Sequence, residues 1–391
     1  MQYHLVDPES SSAQYTPFQT VDFNLQTPGR RLLKNSIRIE GRIVARKNTT
    51  DPYTPAARGG TSSAIEMTDN IKLDNVVGAH AFFDSFTCEI QGGRAGGRAG
   101  VLENLQNYPR FVSQVGRATL GADDMLSAKM VAECRGPYEI NGNYPLQPVA
   151  NQAFVSGSTE VTAQRTLPSF SIKPMMCFNR SAGGDYSFDK NGFIRISTIL
   201  AANRHALFAG DADTNYVLED LVCRFVTIPD EGGDEPMLMR SYVNVVSSMQ
   251  SIATTISARV PSAQVSSVTM TFAKQSNLQA PEFNSYALEA LPKWESVEYL
   301  FANSLQNFLT YRITDEDDAL LRGLASLESA GHSQVNAKTL KANRGTIMGL
   351  AFDEFVDLSQ QSFKINLKID DTSVTTEPRD VFLFFNTLLQ M

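Results

Sequence analysis

The clearest signal along the chain is strict two-residue alternation. Between Ser36 and Arg46, Ile37, Ile39, Ile43 and Ala45 fall on one side, and Arg38, Glu40, Arg42 and Arg46 fall on the other. Successive side chains of a strand point to opposite faces, so this stretch predicts a strand with one buried and one wet face. Residues 363–369 repeat the pattern, with Phe363, Ile365, Leu367 and Ile369 separated by Lys364, Asn366 and Lys368. Further strands are predicted over 82–90, 172–178, 193–199, 222–228, 265–272, 297–301, 308–311, 347–352 and 381–385. Most are short and bounded by Gly, Pro, Asn or Asp, the punctuation of β-sandwiches and barrels and not of a parallel sheet.

Helical spacing is rare. Val101, Leu105, Tyr108, Val112 and Val115 share one helical face and predict a helix over 101–115, kinked or restarted at Pro109. A second helix is predicted over 314–327. There Thr314 is the expected cap, and Asp315, Glu316 and Asp317 suit the positive end of the helix dipole. Leu320, Leu321, Leu324 and Leu327 supply its apolar stripe.

Residues 229–236 read Pro-Asp-Glu-Gly-Gly-Asp-Glu-Pro, an acidic stretch bracketed by prolines. It is the expected linker, 230–236, between a first domain over 1–229 and a second over 237–391. The two sides repeat one order of elements: strands, a helix, then strands ending in a closing strand. Thr27-Pro28-Gly29 has its counterpart in Val260-Pro261-Ser262, and Tyr186-Ser187-Phe188-Asp189 has its counterpart in Val356-Asp357-Leu358-Ser359. A repeat this long is a duplicated domain and not a solenoid. The first half also carries a long insertion over 122–167, expected as a loop or tower.

Several stretches resemble the double jelly-roll major capsid proteins of tailless icosahedral DNA viruses, the group of membrane-containing phages, virophages and polinton-like viruses. Residues 258–272, from Ala258 through Val260-Pro261-Ser262 to Phe272, look like the opening strands of that group's second barrel. Gly349-Leu350-Ala351-Phe352-Asp353, followed by Val356-Asp357-Leu358-Ser359 and Phe363, looks like a further segment of it. Val381-Phe382-Leu383-Phe384-Phe385 looks like its aromatic final strand, and Pro28-Gly29-Arg30-Arg31 through Ile39 fits the opening of its first barrel. The resemblance implies an all-β chain of two consecutive eight-stranded jelly-roll sandwiches with a few short helices in loops. It further implies a homotrimer of pseudo-hexagonal outline that meets neighbouring capsomers, penton and minor capsid proteins, often over a lipid membrane, and a place in the virion.

Composition agrees with such a chain. Its 391 residues suit two domains, and 42% hydrophobic with 19% charged residues is globular. The net charge of −8 argues against dedicated nucleic-acid binding, and no sequence-specific nucleic-acid partner is expected. The four cysteines, Cys88, Cys134, Cys177 and Cys223, form no CxxC and are expected as small buried hydrophobes in a reducing interior. The opening residues lack the basic-then-apolar order of a signal peptide, and no apolar run approaches the roughly 18 residues of a membrane span, so synthesis in a host cytoplasm is expected.

Candidate chemistry is sparse. His4, His80, His205 and His332 are too scattered for metal-ligand spacing, and His80 is expected as a satisfied histidine at a strand edge. No GxSxG nucleophile elbow occurs. The run Gly92-Gly93-Arg94-Ala95-Gly96-Gly97-Arg98-Ala99-Gly100 lacks the GK[ST] ending of a phosphate loop and is expected to link a strand to a helix. Asp315 to Asp318 lack EF-hand spacing and read as helix-dipole partners. The loop at Asp211 and Asp213 is a weak cation candidate. No catalytic, cofactor or metal residue is therefore expected.

The basic run Arg30, Arg31, Lys34, Arg38, Arg42, Arg46 and Lys47, against the single acid Glu40, is expected as a solvated strand face. Its functional alternative is an inner-face contact with anionic lipid or genome, carried by Arg30, Arg31, Lys34, Arg38 and Arg42. Two other classes fit a double β-sandwich: a glycan-processing hydrolase, which needs an acidic pair in a cleft, and a lectin-like binding protein, which needs aromatic residues on loops.

Overall fold

The structure is a computed structural model, and it describes residues 1–46, 72–92, 100–119, 132–135, 143–145, 149–150, 165–166, 169–208, 215–232, 237–262, 264–280, 283–287, 294–302, 309–332, 347–360, 362–370 and 372–391. Sixteen principal strands run in order. The first half holds β1 (Gln2–Val6), β2 (Thr20–Leu25), β3 (Arg38–Arg46), β4 (Phe83–Gln91), β5 (Gly100–Leu105), helix α1 (Tyr108–Thr119), β6 (Ser169–Ile172), β7 (Phe193–Leu200) and β8 (Asn215–Pro229). The second holds β9 (Leu238–Met249), β10 (Ala253–Ala258), β11 (Val265–Lys274), β12 (Trp294–Ala302), β13 (Leu309–Ile313), helix α2 (Glu316–Ser329), β14 (Met348–Val356), β15 (Ser362–Ile369) and β16 (Arg379–Gln390).

Pairing repeats as faithfully as order. In the first half one sheet runs β6-β3-β8-β1 and the other β2-β7-β4-β5. In the second half the sheets run β14-β11-β16-β9 and β10-β15-β12-β13. Each strand of the second half occupies the place of the strand eight earlier, and all of these pairs are antiparallel. Two antiparallel sheets of four principal strands each, sharing one core, make a jelly roll, and the chain contains two; the short strands Gln14–Tyr15, Arg30–Leu32 and Tyr186–Ser187 widen one sheet of the first half to seven. The short matches seen in sequence fall at equivalent points: Pro28 and Pro261 between second and third strands, Ser187 and Asp357 between sixth and seventh.

Alternation is the cause of the strands. On β3 and the residue before it, Ile37, Ile39 and Ile43 are buried, whereas Arg38, Glu40 and Arg42 are only half-buried. Gly41 sits on the inward row because a Cβ there would meet Leu221 Cδ2 at 2.8 Å and Phe170 Cζ at 3.0 Å. On β15, Phe363, Ile365, Leu367 and Ile369 point inward. Phe363 packs edge-on to Phe301, Phe352 and Phe385 at 5.1 to 6.2 Å.

Four expectations need correction. Residues 101–105 are a strand, not the start of a helix. β5 pairs with β4, Phe86 opposite Leu105 and Cys88 opposite Glu103, so a period of two prevails, and Val101 is 61% exposed. The helix begins at Tyr108 after a turn in which Asn107 has φ +51°, and Pro109 lies in its first turn, where no N–H is required. The glycine-arginine run consequently joins two strands, not a strand and a helix; its residues 93–99 lie outside the described residues. The strand expected over 172–178 ends at Ile172, because Pro174 interrupts it and Cys177–Asn179 form a 3-10 turn. The cap of α2 is Asp315, not Thr314: its carboxylate accepts from the Asp317 N–H at 2.7 Å. Strands β1, β2, β9 and β10 went unpredicted, although Val21, Phe23 and Leu25 alternate inward on β2.

The halves are not separate beads. One core cluster runs through the first sandwich and continues into Met237, Met239, Tyr242, Phe382 and Phe384 of the second half. Ser181–Gly183, from the first half, pairs with β9 and extends the second half's sheet. Of the expected linker, Asp230 is tied down by Arg31 at 2.6 Å and by the Ser187 hydroxyl; residues 233–236 lie outside the described residues. Most of the 122–167 insertion and the acidic loop at Asp211 and Asp213 also lie outside them.

Candidate functional site

Three regions have the chemistry to carry function: the seam between the sandwiches, the basic face of β3, and the exposed apolar side chains. The seam is organised by α1. Its amphipathic sequence buries one side on its own sandwich and presents Arg110, Phe111, Ser113 and Gln114 to the other. The Ser113 hydroxyl donates to the Tyr286 carbonyl at 2.6 Å, Gln114 donates to Thr269 Oγ1, and Arg110 donates to the Ser285 carbonyl while lying 4.1 Å over the Phe382 ring. Phe111 stacks on Tyr242 at 4.1 Å and tilts against Phe384 at 5.4 Å.

Beside α1, β5 delivers a buried carboxylate to the same seam. Glu103 accepts from the Cys177 N–H at 2.7 Å and from the Ser241 hydroxyl at 2.8 Å. Burial pushes its carboxyl above the usual range, against those hydrogen bonds. Cys88, Glu103 and Cys177 place their donor atoms within 4.8 Å of one another, the one such group among the described residues. Both carboxylate oxygens already accept hydrogen bonds. The Cys88 thiol, hydrogen-bonded to Cys177, is pushed up to about 11 by burial and by Glu103, and stays protonated at neutral pH. The trio is thus a hydrogen-bonded structural cluster. All four cysteines are buried and free, as small apolar side chains would be.

His80 is satisfied, though within a 3-10 turn (Gly78–Phe82) and not at a strand edge. Its Nδ1 lies 2.6 Å from the Tyr108 hydroxyl and its Nε2 lies 3.4 Å from Glu133. The acids opening α2 serve the helix: Asp315 caps it, and Asp318 pairs with Arg322 at 3.0 Å.

The basic run is split along β8. Arg30 donates to Thr227 Oγ1 at 2.6 Å, and Arg31 pairs with Asp230. Arg38 donates to the Ser171 carbonyl at 3.1 Å, while Glu40 pairs with Arg224 at 2.9 Å. Arg42 pairs with Asp220, whose φ of +50° marks a bulge in β8 that turns its carboxylate toward the arginine. Lys34 is exposed. The acids that answer Arg31 and Arg42, Asp230 just past β8 and Asp220 within it, lie far along the chain and were invisible to sequence spacing. The side chains of Arg46 and Lys47 lie outside the described residues.

Among exposed apolar residues, Tyr3 and Leu5 project from β1, an edge strand of the first sandwich, at 69% and 67% exposure. Phe18, Leu321 and Phe355 are likewise open to solvent. No helix among the described residues is long and apolar enough to cross a membrane.

No protein-family model matches the chain, and no curated protein matches it. Solved structures do. The Faustovirus major capsid protein superposes with a TM-score of 0.59 at 9% identity, over 100% of this chain and 90% of that one. PBCV-1 VP54, fitted into a cryo-EM reconstruction of the virophage Sputnik, superposes with a TM-score of 0.58 at 7% identity, over 100% of this chain and 95% of that one. At such low identity the likeness is one of architecture, and with the strand order above it establishes that this chain has the double jelly-roll fold of icosahedral-virus major capsid proteins.

Proposed function

We propose that the chain is the shell-forming subunit of an icosahedral virus, a structural protein whose work is geometric. The observation that carries this reading is the doubled eight-strand plan, with α1 bonded to both halves, over the full length of the match to viral capsid subunits. Two like sandwiches per chain let a threefold assembly present six similar lobes, and such a capsomer tiles a closed shell by symmetric contacts. The exposed Tyr3 and Leu5 on an edge strand are natural contacts for a second copy, because an open edge exposes unpaired backbone groups and apolar area together. Neighbouring capsomers, penton and minor capsid proteins and an underlying viral membrane are the partners of this reading. The virion is its location, after synthesis in the host cytoplasm. No bond-making step is required: the buried carboxylates Glu103 and Glu133 serve structural hydrogen bonds and ion pairs.

Light scattering coupled to size-exclusion chromatography tests the proposal. The expected species has three times the 43.0 kDa chain mass. Its interfaces are expected to exceed the roughly 1,200–2,000 Å² of an ordinary complex, so the trimer should persist on dilution. A monomer at all concentrations refutes the reading. Arg30, Lys34 and Arg38 supply the inner-face contact with anionic lipid or genome in the same proposal. Replacing all three by Gln is expected to weaken binding to phosphatidylserine vesicles at low salt, and unchanged binding removes that part.

A further inference from the structure

We propose that the outer face of β1 and β8 docks on the second sandwich of another copy of the chain, where residues 352–355 project from β14; this rests on the shell-subunit reading and names the surfaces that meet. The face is apolar where a wet face should be polar. Tyr3 stands opposite Val226 and Leu5 opposite Arg224, on the side away from the core, while His4 stacks on Phe225 beneath. Val222, Val226 and Ile228 share that outer side and are half-buried, and Tyr3 and Leu5 are exposed. Arg224, paired with Glu40 at 2.9 Å, is the one Lys, Arg, Asp or Glu within residues 2–6 and 222–228. Among the described residues β1 pairs with β8 alone, and it has no lysine, proline or bulge of the kind that guards an open edge.

The chain itself shows what covers such a face. β9 and β16 are the counterparts of β1 and β8. Leu383 and Phe385 point into the second core, and on the opposite side Tyr242, Phe382 and Phe384 are buried under α1 of the first half. The edge of β9 is closed as well, because Ser181–Gly183, from the connection between β6 and β7, pairs with Leu238 and Met239. The first sandwich thus covers, on the second, the surface that it leaves bare on itself.

The second sandwich carries a matching part at the equivalent place. The match of residues 186–189 with 356–359 sets 181–183 level with 351–353. There the β14 ladder breaks: Ala351 pairs with Ser267 and Val356 with Val265, so residues 352–355 bulge out against the single Ser266. Phe355 is 54% exposed on this bulge, and Glu354 beside it is exposed. An aromatic knob flanked by an acid suits an apolar patch whose one charge is an arginine. Repeating the within-chain step between copies gives a heterologous, head-to-tail contact. In a closed ring of three copies, first and second sandwiches alternate, every copy gives one bulge and receives one, and neither surface stays bare.

Light scattering on the full chain and on two variants, Leu5→Asp and Phe355→Asp, tests this. Both side chains are exposed in the single chain, so each variant is expected to keep the parent's circular dichroism while its mass falls from three chains to one at concentrations where the parent is associated. The second measurement is covalent capture. A chain carrying both Leu5→Cys and Phe355→Cys, treated with a short bismaleimide, is expected to give two-chain and three-chain products on a denaturing gel, and chains with either substitution alone are expected to give none. The four native cysteines are buried and do not compete. If the parent associates but either aspartate variant keeps the parent's mass, the patch meets some other surface or partner, and the docking proposal is overturned while the shell reading stands. Absence of the captured products from an associated double variant overturns it equally. A parent that is a single chain at every concentration overturns the shell reading and the docking together.

Discussion

Phe111→Ala should uncouple the two sandwiches. The Phe111 side chain is fully buried between Tyr242 and Phe384, with the Arg180 guanidinium over its ring. Removing the ring returns about 100 Å² of apolar surface to the account of the unfolded chain, about 2.5 kcal/mol at 25 cal/mol per Å². The void adds a cavity cost, and the lost aromatic pair adds about 0.5–1.5 kcal/mol. Partial collapse of the site limits the sum to about 4 kcal/mol. For a chain of 391 residues, an unfolding entropy of about 2.1 cal/mol/K per residue converts this to a fall in Tm of about 5 °C if unfolding is a single transition. Urea denaturation measures the stability change, and amide exchange by mass spectrometry locates it. Exchange is expected to quicken together in α1, β9 and β16, the elements that meet at Phe111. Phe363→Ala, which empties a comparable site inside the second sandwich alone, is the control and should leave α1 protected. A loss below about 1 kcal/mol, or faster exchange confined to α1, refutes the assignment of Phe111 as the coupling residue.

Gly349→Ala should destabilise by about 1–2 kcal/mol in urea, because a new Cβ would meet the Val268 carbonyl at 2.7 Å and Ser326 Cβ at 2.9 Å. That overpacking outweighs the entropy gained by removing a glycine; a stabilised variant would show that α2 does not ride directly on β14. His332 gives a pH test. Burial, then Arg180 and Arg240, hold its pKa down to about 3 against an ordinary 6.5. The folded state therefore refuses a proton that the unfolded chain accepts. Its stabilising contribution is full above pH 6.5 and declines as pH falls toward 3, by up to about 1.4 kcal/mol per pH unit. His332→Gln should flatten the stability profile between pH 6.5 and 4, and parallel profiles would contradict this.

Alternation carried most of the fold. Where a strand has one wet face, as β3 and β15 do, the register is written in the sequence, because a slip of one residue would bury Arg38 or Lys364 and expose Ile39 or Ile365. β5 was misread because Val101, Leu105, Tyr108 and Val112 happen to keep helical spacing. Only pairing with β4 reveals that Glu103, not Val101, points inward. β9 was missed because several of its residues pack on the seam. Its Ser241 and Tyr242 serve Glu103 and Phe111 and do not spell a simple amphipathic strand.

The chain by itself determined its all-β class, its duplication and the strand faces, because these depend on neighbours two residues apart and on a pattern stated twice. Tertiary structure alone decided the seam: Glu103 with Ser241, Phe111 with Tyr242 and Phe384, and Arg180 with Arg240 and His332 around one cavity. Those groups are distant in the chain, and a polar residue's partner in space leaves no mark on local periodicity. The same limit hid the acids that answer the basic run, since charge counted along a segment cannot register the carboxylates that β8 and the residue after it lay beside that run.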